Sequence, residues 1–219
     1  MNMLSPLIAS DPASPRLTVY DEARDTRMEF SALTLDNWAC KVANMLDEEF
    51  ELEPDATVLI DLPASWQAAV IALGTYASGR RPAFGGTLLA DVVFTSPERF
   101  ELWADVPDCA VVSADPFGRG VVESGGELPL GAVDFGPTVR FYGDQYLGAS
   151  PELAQWMRDG IDAARYLIPA WEDAEQFEEY VLAPLAAGGS VVLASGLMSA
   201  ERREQIMASE KVTSVLTAR

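Results

Sequence analysis

A chain of 219 residues with 49% hydrophobic content is long enough to bury a full α/β core, and a single domain over 1–219 is the natural expectation at this size. Its 15 basic residues against 34 acidic ones leave a net charge of -19, which repels nucleic-acid phosphate and anionic membrane surfaces and argues against both as partners. Histidine is absent, which removes the commonest general base at neutral pH and a principal ligand of zinc, copper and iron.

In chain order, residues 1–16 carry three prolines and read as a surface arm. LTVYD (17–21) and RMEFS (27–31) alternate apolar and polar side chains, as a hairpin or two adjacent edge strands do. After Ser31, a good N-cap, Leu35, Trp38, Val42, Met45 and Leu46 recur at helical spacing. This predicts an amphipathic helix with Leu35, Trp38, Val42 and Met45 on its buried face. ATVLIDLP (56–63) is nearly continuous in apolar residues, the pattern of a strand buried on both faces, and a helix over 65–78 follows with Gly79 as its terminator. Beyond the Gly85, Gly86 turn come a strand DVVFTS (91–96), a short helix PERFELWADV (97–106) and a strand CAVVSAD (109–115). Between Pro116 and Gly131 turns dominate, with a small strand expected at Val121 and Val122. A short segment then runs to Tyr142, and a helix is expected over 151–164. The strand RYLIPAW (165–171) and a helix over 174–187, stopped by Gly188 and Gly189, come next. The strand SVVLAS (190–195), the helix SAERREQIMAS (199–209) and a strand VTSVLTA (212–218) complete the reading. Alternating strands and helices predict an α/β fold with a largely parallel sheet.

Cys40 and Cys109 stand far apart in apolar surroundings without Cys-x-x-Cys spacing, so both read as buried reduced thiols. Lys41 and Lys211 are the only lysines, which leaves little for amine chemistry. The N-terminus has no basic start, its apolar stretch is too short for an export signal, and no later run approaches the roughly 20 apolar residues of a membrane span. A cytoplasmic location is expected.

Candidate chemistry is sparse. Gly118, Gly120, Gly125 and Gly126 do not follow a long buried strand and open a helix, and no Gly-Lys-Ser/Thr occurs, so they read as turn residues. Asp61 stands near the C-terminal end of a central strand, where ligand crevices of open α/β sheets form, and Ser65 would share that crevice. The plainer alternative is that both satisfy backbone donors at the next helix start. Asp115 before Pro116 reads as a turn opener. The run Glu172, Asp173, Glu175, Glu178 and Glu179 suits either a hard cation or a solvated helix N-terminus, and the second is the simpler account. The five tryptophans sit on separate elements and read as core or interface residues.

LTVYDEARDTRMEFSALTLDNWACKVANML with the strand VLIDLP and the helix SWQAAVIALGTYASG resembles the opening of the adenylate-forming, or AMP-binding, enzymes such as acyl-CoA synthetases. RYLIPAW, LAPLAAGGSVVLASG and EKVTSVLTA resemble that family's strand with a proline-aromatic motif, its helix and glycine turn, and its Val-Thr strand. The resemblance covers about 14–80 and 165–219, and the chain is also similar to a short actinobacterial family with the same likeness. Those enzymes wrap ATP phosphates with a loop of the type SGTTGxPK between the two stretches, whereas this interval holds FYGDQYLGASPEL (141–153). The family's proline-aromatic motif normally ends in histidine or another gate residue, whereas Pro169, Ala170 and Trp171 are followed by Glu172. The family's later motifs and C-terminal domain would fall beyond Arg219. Adenylation needs a phosphate cradle and cationic stabilisation of the leaving pyrophosphate.

The resemblance implies a three-layer α/β domain with helices on both faces of a largely parallel sheet, like the N-terminal subdomain of those enzymes. The expected function is a non-catalytic relative that binds a small acyl or nucleotide ligand, or a protein, in the inherited crevice. No catalytic residue, metal or cofactor is expected, and Asp61, Ser65, Trp171 and Glu172 are the candidate ligand-binding residues. Self-association as a homodimer, or an enzyme partner, is expected too. Two alternatives stand: half of a split acyl-adenylating enzyme, or an enzyme using Asp61 and Glu172 as its carboxylates.

Overall fold

In the computed structural model, which describes residues 3–86 and 89–217, a short helix α1 (Ser5–Ser10) precedes the strands β1 (Pro15–Asp21) and β2 (Thr26–Ser31). Ser31 Oγ accepts the Thr34 amide at 3.2 Å and opens α2 (Ala32–Glu48). On α2, Leu35, Val42, Met45 and Leu46 are fully buried and Trp38 is half-buried. Next come β3 (Val58–Asp61), α3 (Trp66–Ala77), β4 (Pro82–Phe84), β5 (Val92–Thr95), a 3-10 turn at Pro97–Trp103, β6 (Asp108–Val111), β7 (Val133–Asp134) and α4 (Phe135–Phe141). Gly79 ends the α3 region at φ 80, a conformation that costs glycine no Cβ clash. A 3-10 turn at Leu153–Trp156 leads to β8 (Arg165–Ile168). The helix α5 over 174–186 is α-helical at Ala174–Phe177 and Ala183–Ala186 with a π turn at Glu178–Leu182 between them. It is followed by β9 (Ser190–Ser195), α6 (Ala200–Ser209) and β10 (Ser214–Val215). Among the described residues, no helix is long and apolar enough to cross a membrane.

The chain forms two compact units, each with its own sheet. One comprises Asn37–Pro63 and Gln67–Pro151. Its sheet has the order β4-β3-β5-β6-β7 and is parallel throughout. Every residue of β3 and β5 is buried, which is why both stretches read as continuous apolar runs. Leu59, Val93, Trp103 and Cys109 form one core cluster, and Phe94 meets Phe50 and Phe135 edge-on at 6.1 and 5.8 Å. Each such aliphatic side chain contributes about 1.5–3 kcal/mol on burial. In the same unit, a Cβ at Gly74 would collide with Val42, so only glycine lets α2 and α3 approach as they do.

The other unit comprises Met3–Asp36, Ala64–Trp66 and the chain from Glu152 onward. Its sheet has the order β10-β8-β9-β1-β2, parallel except for the β1, β2 hairpin. The expected α/β class with largely parallel pairing therefore holds, with two sheets in place of one. On one face of this sheet α6 packs through Ile206 against Tyr20, Leu167 and Val192.

Four expectations need correction. Residues 3–16 do not form a surface arm: Ser5–Ser10 is helical, Met3, Leu4 and Leu7 are buried, and β1 already begins at Pro15. Residues 151–164 do not form a helix: Leu153 and Trp156 are buried by a single 3-10 turn, Met157 at the next apolar position is exposed, and Gly160 takes φ 82. Val121 and Val122 lie in a turn and not a strand, because Asp134 Oδ1 and Oδ2 accept their amides at 3.0 and 3.3 Å. β4 was not expected at all, being three residues long and opened by a proline, which is tolerated at a sheet edge.

Candidate functional site

Each sheet contains a point where the strand order reverses. In the first unit β3 leads to β4 on one side, and β5 then pairs on the other side of β3. In the second unit β8 leads to β9 on one side, and β10 pairs on the other side of β8. The carboxyl ends of strands at such a reversal are where open α/β sheets form their ligand crevices.

At the β3 reversal the acid that closes the strand is paired within the protein. Asp61 closes β3, is 8% exposed, and accepts from Arg99 Nε at 2.8 Å, Arg99 Nη2 at 2.9 Å, Trp103 Nε1 at 2.6 Å and Thr95 Oγ1 at 3.3 Å. Burial works against its ionisation, but the donors from Arg99, Trp103 and Thr95 outweigh it and hold the carboxyl below its usual range. The 3-10 turn at Pro97–Trp103 is thereby tied to the ends of β3 and β5. Further along the same edge, Gln67 Nε2 donates to the Asp115 carbonyl at 3.0 Å, and Asp115 accepts the Phe117 and Arg119 amides as a turn opener.

The interval 141–153 is likewise occupied. Lys41 Nζ donates to the Tyr142 carbonyl at 2.5 Å, and Asn44 Nδ2 donates to the Gly143 and Gln145 carbonyls at 2.9 and 3.0 Å. Tyr142 donates to Glu49, Tyr146 donates to Asp47 Oδ2 at 2.8 Å, and Ser150 Oγ donates to the Ala77 carbonyl at 2.6 Å. Burial first, and then the carboxylate partners, push both phenols up, Tyr146 to about 12. This segment is a strap fastened to α2 and its C-terminal end and, through Ser150, to the end of α3, and its hydroxyls and nearby lysine are engaged in those bonds.

At the β8 reversal the edge is open. A cleft of about 360 Å³ lies at the ends of β8, β9 and β10, with Ile168, Pro169, Ala194, Met198 and Leu216 among its walls. That volume is at the lower end for small-ligand pockets. Gly196 lines it at φ 94, where an L side chain is strained. Among the described residues, the one charged residue on its walls is Arg203, from the first half of α6.

Two charge clusters hold α6 in place. Arg202 forms a fork with Glu22, Nε to Oε2 and Nη2 to Oε1 both at 2.9 Å. At the other end Glu210, nearly buried, accepts from Tyr20 Oη at 2.5 Å, Arg27 Nε at 2.7 Å and Arg165 Nη2 at 2.5 Å. Burial opposes the ionisation of Glu210, yet the donors from Arg27, Tyr20 and Arg165 prevail and bring its pKa down to about 2. Arg203, by contrast, is exposed and has no ion pair among the described residues.

The four candidate residues are not gathered at this cleft. Asp61 belongs to the first unit, where its oxygens are used as described, and Ser65 precedes α3 at Trp66 in the second. Trp171 is buried edge-on against Phe177 at 5.1 Å, and its Nε1 has no hydrogen-bond partner among the described residues. Glu172 is exposed, and its amide donates to Gln176 Oε1 at 2.8 Å. Asp173 caps α5 by accepting the Gln176 amide, so this part of the acidic run serves the helix start. Cys40 and Cys109 are both free and buried, and burial pushes the Cys109 thiol up to about 11. Sequence reasoning missed Arg203 and the apolar walls, because residues from three strand ends and one helix meet only in the fold.

No family model matches the chain. A TIGR03089 family protein of Mycobacterium tuberculosis is 35% identical over 238 residues, covering 98% of this chain and 96% of that one. Among solved structures, the chain is similar to an acyl-CoA synthetase of Brucella canis, with a TM-score of 0.76, 17% identity, and coverage of 98% of this chain and 47% of that one. The anthranilate CoA ligase AuaEII, solved in complex with anthranoyl-AMP, matches with a TM-score of 0.69 and 15% identity over 98% of this chain and 49% of its own. The chain thus spans about half the length of these solved structures, and its fold is that of the N-terminal half of adenylate-forming enzymes.

Proposed function

The chain belongs to the TIGR03089 family, and from that premise we propose that it is a non-catalytic relative of adenylate-forming enzymes that holds a small ligand in the cleft at the ends of β8, β9 and β10. The observation that carries this reading is the contrast at the two strand reversals: the acid at the end of β3 is paired with Arg99, Trp103 and Thr95, and the ends of β8, β9 and β10 border a mostly apolar cleft. A position that generates crevices in open sheets, built with apolar walls and one cation, is what a small-molecule site requires.

The non-catalytic part of the proposal rests on the strap. Phosphoryl chemistry depends on positioned donors around the phosphates. The segment that stands where the enzymes carry their phosphate loop has Ser150 and the neighbouring Lys41 bonded to main-chain carbonyls, and its phenols face carboxylates. A set of carboxylates around Tyr142 and Tyr146 repels a triphosphate.

Differential scanning fluorimetry with ATP, AMP, CoA, short fatty acids and acyl-adenylate analogues tests the binding half, because a ligand held only by the folded state raises the melting temperature. A rise with an acyl-bearing compound and none with ATP is expected. ATP–pyrophosphate exchange with carboxylic acids tests the other half: a rate equal to that of a protein-free control is expected, and exchange clearly above it would overturn the non-catalytic reading.

A further inference from the structure

We infer that the ligand of the β8 cleft is a small amphipathic anion, its apolar body on Ile168, Met198 and Leu216 and its single charged head on Arg203. This inference rests on the cleft being a ligand site. Among the described residues, the walls of the cleft carry no carboxylate, in a protein whose acidic residues outnumber its basic ones 34 to 15. A surface patch drawn at random from such a chain would carry negative charge, so a cleft whose described walls hold a guanidinium and no carboxylate selects for an anion and against a cation.

Arg203 is also the unpaired member of two consecutive arginines. Arg202 is consumed by the Glu22 fork, and its guanidinium lies 5.8 Å from the centre of the Tyr20 ring. That anchor fixes the first half of α6, and so fixes where Arg203 starts from, without engaging Arg203 itself. The guanidinium is planar and presents paired donors, which match a carboxylate or a phosphate ester better than a diffuse charge. The Thr217 side chain, also on the wall, adds a hydroxyl that donates or accepts. The small volume limits the apolar body to a short chain or a single ring.

The test uses the full chain labelled at methionine methyl groups, titrated by NMR with hexanoate, hexyl phosphate and hexanamide, in wild type and in Arg203→Gln and Arg203→Lys variants. Hexanoate or hexyl phosphate should shift the Met198 methyl signal, hexanamide should bind about fivefold more weakly, and Arg203→Gln should remove that preference with Arg203→Lys retaining part of it. The two anions distinguish a carboxylate head from a phosphate ester. Equal binding of hexanamide and the anions, unaffected by Arg203→Gln, would overturn the anion assignment and leave the cleft as a ligand site. No shift at Met198 with any of the three probes would overturn both.

Discussion

The carboxyl edges of the two sheets start from the same topology and end differently. At the β3 edge a buried carboxylate gathers Arg99, Trp103 and Thr95, and the turn that follows β5 is drawn across the strand ends. At the β8 edge no such acid stands at the strand ends among the described residues: β8 runs into Ile168 and Pro169, β9 into a glycine at positive φ, and α6 is held by anchors at Glu22 and Glu210 that lie off the cleft walls. The difference teaches that an acid at a strand end can serve to tie neighbouring elements together. A carboxylate with four donors has its capacity used up, whereas an edge without one is left free for something else.

The comparison breaks most sharply at Asp61. Asp61→Ala leaves Trp103 Nε1 and Thr95 Oγ1 buried without their acceptor and frees Arg99, and a loss of about 3 kcal/mol is expected from urea unfolding followed by tryptophan fluorescence. Glu172→Gln, at an exposed position, should change stability by less than about 0.5 kcal/mol. Similar small effects for both would mean that Asp61 does not fasten the Pro97–Trp103 turn to the strand ends.

The anchor of α6 sharpens the other side. The folded pKa of Glu210, about 2, lies below its ordinary value of 4.5, so its ionisation stabilises the fold fully above about pH 4.5 and that contribution disappears as the pH falls toward 2. Glu210→Gln should cost about 2 kcal/mol at pH 7, and the difference between wild type and variant should shrink steadily over that acid range. A difference that stays constant from pH 6 to pH 3 would show that charge at Glu210 is not what fastens α6. In the first unit, Asn44→Ala removes two bonds to the strap and should cost about 1 kcal/mol, with faster amide exchange confined to residues 142–146.

Most of the scaffold was legible in the sequence because its elements are decided locally. β3 and β5 are apolar on both faces, α2 has a capping serine and a 3.6-residue stripe, and Gly79 and Gly188 stand where backbones at φ 80 and φ 81 are needed. What misled was decided at a distance. Leu153 and Trp156 are spaced for a helix, but one 3-10 turn buries them both, and nothing in 151–164 announces that the remaining positions stay outside. Val121 and Val122 look like strand residues until Asp134, twelve and more positions on, takes their amides. Pro184 withholds a donor inside α5, which accounts for the π turn just before it, where the ladder has to be rearranged. The proposed cleft was legible in kind and not in place: a crevice at a strand edge was expected, Asp61 stands at such an edge with its oxygens paired inside the protein, and Arg203 looked like one more charge on a solvated helix.

Trp171 supplies the finest discrimination. Its ring is almost fully buried and packs edge-on against Phe177, so the side chain has the placement of a core residue, but its indole N–H reaches no acceptor among the described residues. An unsatisfied buried donor costs about 1–3 kcal/mol, and replacing the larger ring by phenylalanine forfeits apolar contact of similar worth. Because the two terms oppose each other, Trp171→Phe should leave stability within about 1 kcal/mol of wild type, whereas Trp171→Ala, which loses the packing as well, should cost about 3–5 kcal/mol. Trp171 is not on the walls of the β8 cleft, so hexanoate affinity should be the same in the phenylalanine variant as in wild type. A loss of affinity beyond about threefold at unchanged stability would mean that the indole N–H is an acceptor-seeking group for the ligand. The open edge would then extend from the ends of β8 and β10 to the start of α5, and the ligand would be larger than the present cleft alone can hold.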